Sequence, residues 1–232
     1  MLAGFWIYSF ILFITIVIGN PKLKSEYAHI NTLPNPILFT NEYFPDNKSK
    51  TLIYDSDFGE TKLNVVQENG YDIYTFKSDD FTYRQKLLIN ENGVFVKETY
   101  QKMKLFLFIN KEGTFTYNEL LPRIKFPLTP GNSWNWEGKE FEDDEINTIT
   151  LNASVETYEK IKVPAGTFDA VKLITTVTSS SGSDNIVTEW FAKDIGLIKM
   201  SAVIKGSGLI GTVRDLLGLG KIEFELMEIK SR

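Results

Sequence analysis

From about Leu33 onward this chain alternates, and that single habit limits what it can fold into. In "INTITLNASVETY" the residues Ile149, Leu151, Ala153 and Val155 share one side of an extended backbone, and Thr148, Thr150, Asn152, Ser154 and Glu156 share the other. "KIEFELMEIK" repeats the pattern, with Ile222, Phe224 and Leu226 against Glu223 and Glu225, and Val171, Leu173 and Val177 form a third such face. Successive side chains of a strand point to opposite faces, so an apolar–polar alternation describes an antiparallel sheet wetted on one side. Turn residues punctuate the pattern about every ten positions, the rhythm of an all-β sandwich or barrel. Aromatic residues make up 13% of the chain, with 17 Phe and 10 Tyr, and flat rings suit a pleated surface.

The turns themselves are legible. In "KVPAGTFDAVKL", Pro164 withholds an N–H and must end the strand or lie on an edge. Gly166 then supplies a positive φ for the reversal. "NENGVF" (residues 90–95) and "NKEGTF" (residues 110–115) read as hairpin turns around Gly93 and Gly113, and "SSSGSDN" (residues 179–185) as a longer polar tip. The Pro-rich stretch from Asn31 to Pro36 reads as an extended arm.

Two segments are apolar on both faces. "KLFLFIN" (residues 104–110) carries Leu105, Leu107 and Ile109, and "EWFAKDIGLIKM" sets Trp190 beside Phe191, pointing to opposite sides. A third stretch, "KGSGLIGTVRDLLGLGK", places Leu209, Ile210, Val213, Leu216, Leu217 and Leu219 on one stripe of a short helix that Gly218 and Gly220 would end. Its G-x-G-x-x-G spacing at Gly206, Gly208 and Gly211 lacks the βαβ context of a dinucleotide site. Either another element covers the second face of these strands, or Leu105, Leu107, Ile109, Trp190, Phe191, Leu209 and Leu216 are the candidate lining of an apolar cavity, with the helix as a plug, a gate or a contact with a membrane surface.

Several functions are disfavoured. The net charge is −5 and the 25 Lys and Arg are scattered, so no basic patch for nucleic acid forms. There are no cysteines, which removes disulfides, thiol catalysis, cysteine-bound zinc and an N-terminal lipidated cysteine. The one histidine, His29, lies outside the β region, so a Ser-His-Asp triad has no base. The acidic run "EGKEFEDDE" (residues 137–145) lacks EF-hand spacing and reads as a solvated hairpin. No catalytic constellation, metal site or cofactor motif emerges, and the expectation is a non-enzyme without cofactors.

The first nineteen residues hold no charged side chain, and Leu2 to Ile18 are almost wholly apolar. As a signal peptide the segment would be cut after Gly19, with Val17 and Gly19 as the small residues at the cut. As an anchor it just reaches the roughly 17–25 residues that span a bilayer, and Leu2 to Ile18 would be the membrane contact.

Three segments together, "FPLTPGNSW" (residues 126–134), "VPAGTFDAVKL" (residues 163–173) and "TEWFAKDIGLIKM" (residues 188–200), resemble a family of exported bacterial β proteins grouped as TapB-like domains of unknown function. The likeness extends from about Phe44 to Ile229. More remotely the pattern is similar to the LolA/LolB lipoprotein-carrier class, in which a curved antiparallel sheet wraps an apolar ligand. That resemblance implies a carrier-like concave face and supplies no catalytic residues.

The sequence thus predicts a mainly β protein: a curved antiparallel sheet or open half-barrel with a short C-terminal helical excursion, behind an N-terminal apolar segment. Residues 1–19 are the signal peptide or anchor, residues 20–40 the arm, and residues 41–232 one β domain. The expected role is a non-enzymatic protein of the periplasm or cell surface of a bacterium. Its partner would be an apolar ligand or a lipidated or envelope protein; the rival role is a structural or adhesive module with a solid core. An interior lumen of roughly 300 Å³ or more would favour the ligand. N-terminal sequencing of the exported protein tests the leader: the signal-peptide reading expects a chain that begins at Asn20, and a chain that still begins at Met1 contradicts it.

Overall fold

The alternation is realised as twelve antiparallel strands. A computed structural model describes residues 42–106, 109–206 and 220–232, with the side chains of residues 105–106, 109–111 and 206 outside the description. In chain order the strands are β1 (Lys50–Ser56), β2 (Thr61–Glu68), β3 (Tyr71–Lys77), β4 (Phe81–Asn90), β5 (Gly93–Phe106), β6 (Ile109–Lys125), β7 (Ser133–Glu142), β8 (Glu145–Val163), β9 (Gly166–Ser179), β10 (Ser183–Ala192), β11 (Gly196–Gly206) and β12 (Lys221–Ser231). Each pairs with its neighbour in sequence, and β1 also pairs with β12, from Lys50 opposite Ser231 to Ser56 opposite Phe224.

This closure corrects the expectation of an open half-barrel. The strand count and direction are local properties, but the pairing of β1 with β12 joins the two ends of the described sheet and leaves no free edge there. The predicted helical excursion, the arm and the leader lie outside the described residues, as does any membrane contact through Leu2 to Ile18. Among the described residues no helix is long and apolar enough to cross a membrane.

The predicted faces point inward. Ile149, Leu151, Ala153 and Val155 are buried, as are Ile222, Phe224 and Leu226 and also Val171, Leu173 and Val177. Aromatic rings fill the β1–β4 side: Phe58 stacks on Phe81 with ring centroids 4.5 Å apart, and Phe224 lies 6.1 to 6.4 Å from Tyr54, Phe58, Phe76 and Phe81.

The lower end, where residue 42 enters and β12 finishes, is closed by two segments. Residues 42–47 lie across it: Phe44 packs 5.2 Å from Tyr74 and 6.2 Å from Phe191, and the Asn47 side-chain amide donates to the Ile195 carbonyl at 2.9 Å. The second is the tip of the β8–β9 hairpin. Pro164 and Ala165 make its turn and Gly166 takes φ +142°, as the sequence predicts. The tip reaches past β10 and β11 to β12, where the Ala165 N–H donates to the Leu226 carbonyl at 2.9 Å.

One seam is held differently. The registered backbone pairs between β6 and β7 are only Thr116–Phe141 and Tyr117–Glu140. Beyond them side chains do the joining: the Lys139 N–H donates to Asn118 Oδ1 at 2.6 Å, and Trp134 Nε1 donates to the Pro122 carbonyl at 2.9 Å. Gly138 is required here, because a Cβ would overlap the Trp136 ring.

Two local expectations are corrected. "NKEGTF" is no turn: residues 109–125 run as one strand, and Gly113 sits opposite Gln101 of β5, its bare Cα leaving space for the Glu142 carboxylate. The acidic run is not wholly solvated, because Glu140 is fully buried on the inner face of β7 while Asp143 and Asp144 form the exposed turn. "NENGVF" and "SSSGSDN" do turn, at residues 91–92 and 180–182.

Replacement of Phe224 by Ala removes the ring that four others touch, and should lower the unfolding free energy by about 3–5 kcal/mol. Val66→Ala, on the outer face, should stay within about 0.5 kcal/mol of the parent. Urea titration followed by circular dichroism measures both; a Phe224→Ala cost no larger than that of Val66→Ala would mean the aromatic core is not packed as described.

Candidate functional site

The predicted cavity lining separates. β10 alternates as the sequence implies, with Phe191 fully buried inside and Trp190 half-buried outside. Trp190 is therefore no lining residue. It sits between Lys172 and Lys199, each ammonium 5.8 Å from the ring, and its Nε1 donates to Glu159 Oε1 at 2.6 Å. Phe191 packs into a filled core beside Phe44. The side chains of Leu105, Leu107, Ile109, Leu209 and Leu216 lie outside the described residues.

Small spaces lie inside the barrel among the described residues. One of about 20 Å³ lies among Phe44, Tyr74, Arg123, Phe191 and Leu197, and another of about 20 Å³ among Phe76, Tyr83, Arg123, Glu189, Met200 and Phe224. Each has room for about one water molecule. Neither approaches a ligand lumen.

Between the two spaces stands a pair that sequence reasoning missed. Arg123 of β6 and Glu189 of β10, four strands apart around the barrel, meet inside it with Nη2 to Oε1 at 2.6 Å. Both are almost completely buried. Burial alone works against the guanidinium charge, but the Glu189 carboxylate and the phenol oxygens of Tyr83 and Tyr74 outweigh it, and Arg123 is held above its ordinary value. The ring of Phe44 lies 5.8 Å from the guanidinium carbon. Burial also pushes ionisation of the Tyr54, Tyr74 and Tyr83 phenols to higher pH, so these phenols stay neutral.

A polar row continues above the pair. Gln85 opposes Thr99 across β4 and β5, Tyr117 opposes Glu140 across β6 and β7, and Glu140 opposes Asn147 across β7 and β8. All five are buried. Burial, then the Glu140 charge, lifts the Tyr117 phenol well above its usual value. Neither amide atom of Gln85 has a partner among the described residues. Part of this row was readable: Gln85 falls in phase with Tyr83 and Leu87, and Glu189 with Val187 and Phe191, so each is a polar residue on an apolar face. Arg123 gave no such signal, because residues 121–124 are all buried.

Chemically the arrangement binds its own walls together. The Glu189 carboxylate is neutralised by the Arg123 guanidinium. Among the described residues no group of three or more His, Cys, Asp and Glu could hold a metal ion. A larger concavity lies on the outside: a groove of about 470 Å³ over β7, β8 and β9, floored by Ser133, Asn135, Asn152, Ser154, Ile174 and Thr176.

The model of the family described as DUF3108-like matches residues 93–213, from the first residue of β5 through β11. That span holds Arg123, Glu189 and the outer groove. No curated protein matches the chain. Two solved structures are similar. One, a candidate lipoprotein from Parabacteroides distasonis, is 14% identical with a TM-score of 0.39, over 83% of this chain and 100% of the other. The second, a candidate exported protein with a YmcC-like fold from Bacteroides fragilis, is 13% identical with a TM-score of 0.41, over 81% of this chain and 98% of the other.

The buried pair makes a sharp prediction. Arg123→Met alone strands the Glu189 charge and should lower stability by about 3–5 kcal/mol, whereas Arg123→Met with Glu189→Leu should recover most of the loss. Denaturant unfolding of the two single variants and the double variant decides the matter. A double variant as unstable as the summed single variants would show that the pair is not the unit described.

Proposed function

The chain belongs to the DUF3108-like family; on that footing, which establishes kinship and no activity, we propose that it is an exported, non-enzymatic module of the bacterial cell envelope that meets its partner through the outer surface of a solid barrel. The observation that carries this reading is the packing of the described interior: the two spaces described there are about 20 Å³ each, against roughly 300 Å³ for a small-molecule site. Export is supported by the uncharged apolar run from Leu2 to Ile18. The lack of cysteines leaves such a protein dependent on its core, and the continuous aromatic packing supplies one.

The carrier reading, drawn from the likeness to the LolA/LolB class, requires a concave face open to an apolar ligand. A lipid entering at the described lower end would have to displace Phe44 and the Ala165 tip, which are inserted there. A surface role asks for no such rearrangement.

Native mass spectrometry of the gently purified full chain, together with an apolar fluorescent dye, tests the proposal. The expected result is the bare polypeptide mass and no dye enhancement until the protein unfolds. A lipid adduct in stoichiometric amount would overturn the solid-barrel reading and restore the carrier.

A further inference from the structure

We propose that the outer groove over β7, β8 and β9 binds a neutral polyhydroxylated ligand, an uncharged oligosaccharide. The inference rests on the surface-module reading and names the partner's chemistry for one face.

Strand pairing builds the groove floor as two transverse rows. Ser133, Ser154 and Ile174 are opposed in one, and Asn135, Asn152 and Thr176 in the other. Neighbouring side chains are thus about 4.8 Å apart across the strands and about 7 Å apart along them. Both rows continue without charge onto β10, at Thr188 and Ile186. Charged residues are 24% of this chain, so eight contiguous outward positions without one are unusual on its wetted surface. Charge returns at the borders, at Glu137 and Asp184 on one side and on the other at Lys172 and at Glu156, whose carboxylate accepts from the Ser154 hydroxyl.

The floor's polar groups are available. Ser154 donates to Glu156 at 2.5 Å, while Ser133, Asn135, Asn152 and Thr176 have no side-chain partner among the described residues. A carboxamide and a hydroxyl each donate and accept, which matches a sugar hydroxyl, itself donor and acceptor. An ionic ligand would call for an opposite charge in the floor. A protein partner would call for exposed aromatic or long apolar anchors near the centre, and the exposed large apolar residues Val66, Leu120, Tyr158, Met227 and Ile229 all lie outside the groove. An apolar ligand would find Ile174 as the one large apolar side chain on the outward floor, because Trp134 and Ala153, which also line the groove, are buried on the inner face. The volume of about 470 Å³ falls within the range of small-ligand clefts.

The test uses the full chain and a panel of neutral tetrasaccharides built from glucose, galactose, mannose or N-acetylglucosamine, with polygalacturonate as the anionic control. Nuclear magnetic resonance follows the side-chain amides of Asn135 and Asn152, and calorimetry follows affinity. The proposal expects at least one neutral saccharide to shift both amides saturably, with polygalacturonate silent. It also expects Asn135→Asp with Asn152→Asp to weaken binding about tenfold or more at an unchanged urea midpoint, and Asn135→Ala with Asn152→Ala to weaken it too, so that a loss caused only by added charge is recognised. Silence of both amides toward the whole panel, undiminished binding by the alanine pair, or stronger binding of polygalacturonate would each overturn it. A lipid inside the barrel would sink the solid-core reading and leave the groove untouched, whereas silent amides on an empty barrel would do the reverse.

Discussion

Backbone pairing between β1 and β12 is the constraint on which the rest of this structure depends. Lys50 to Ser56 lie opposite Phe224 to Ser231, so segments almost a chain length apart complete the sheet. Without that seam the sheet would end in two unpaired edges, each a template for another chain. With it, every inward residue from Leu52 to Leu226 faces one shared interior. Because the partners are so distant in sequence, their pairing carries a large loop-closure cost and depends on other contacts being in place. The register shifts between Ile53 and Tyr54, where β12 carries Met227 as the extra residue, and Tyr54, on the same inner face as Leu52, donates its hydroxyl to the Leu197 carbonyl at 2.8 Å.

A barrel of twelve strands encloses more space than one of eight, and here large side chains take it up. Phe58, Phe76, Phe81 and Phe224 fill one side, Phe44 enters from below, and Arg123 reaches across to Glu189 in the middle. The ion pair is a costly way to fill space, since desolvation offsets much of its attraction. Its value lies in geometry: a charged strut between β6 and β10 has one satisfactory length, and it sets the separation of the walls on either side of the two small spaces. These side chains occupy the described interior, and the groove over β7 to β9 is a concavity on the outer face of the same sheet.

Much of this was legible in the sequence, and the failures share a cause. Ile149 to Val155 and Ile222 to Leu226 were readable because alternation is a local property of an extended chain. The reversal at Pro164–Gly166 was readable because ring closure and φ preference belong to single residues. Closure was not, because nothing near Lys50 or Ser231 marks the other as its partner, and a half-barrel and a whole one share their local pattern. Gly113 was misread because its role is to make room for Glu142, a residue 29 positions away. Trp190 and Phe191 were placed on opposite faces correctly, but which face was hollow depended on what the rest of the chain inserted. The groove escaped notice because Ser133, Ser154 and Ile174 become neighbours only through strand register.

The most direct test of the account is a cross-link at the seam. The chain has no cysteine of its own, so Thr51→Cys with Lys230→Cys, at positions directly opposed between β1 and β12, introduces the only two thiols. Opposed Cα atoms in an antiparallel pair are about 4.5–5.5 Å apart, within disulfide range. Mild oxidation of the folded protein should close an intramolecular bond between them rapidly and almost completely, with little change in the circular dichroism spectrum. Two thiols that stay free under those conditions, or link only between molecules, would mean that the ends of the sheet do not meet and that the barrel is open.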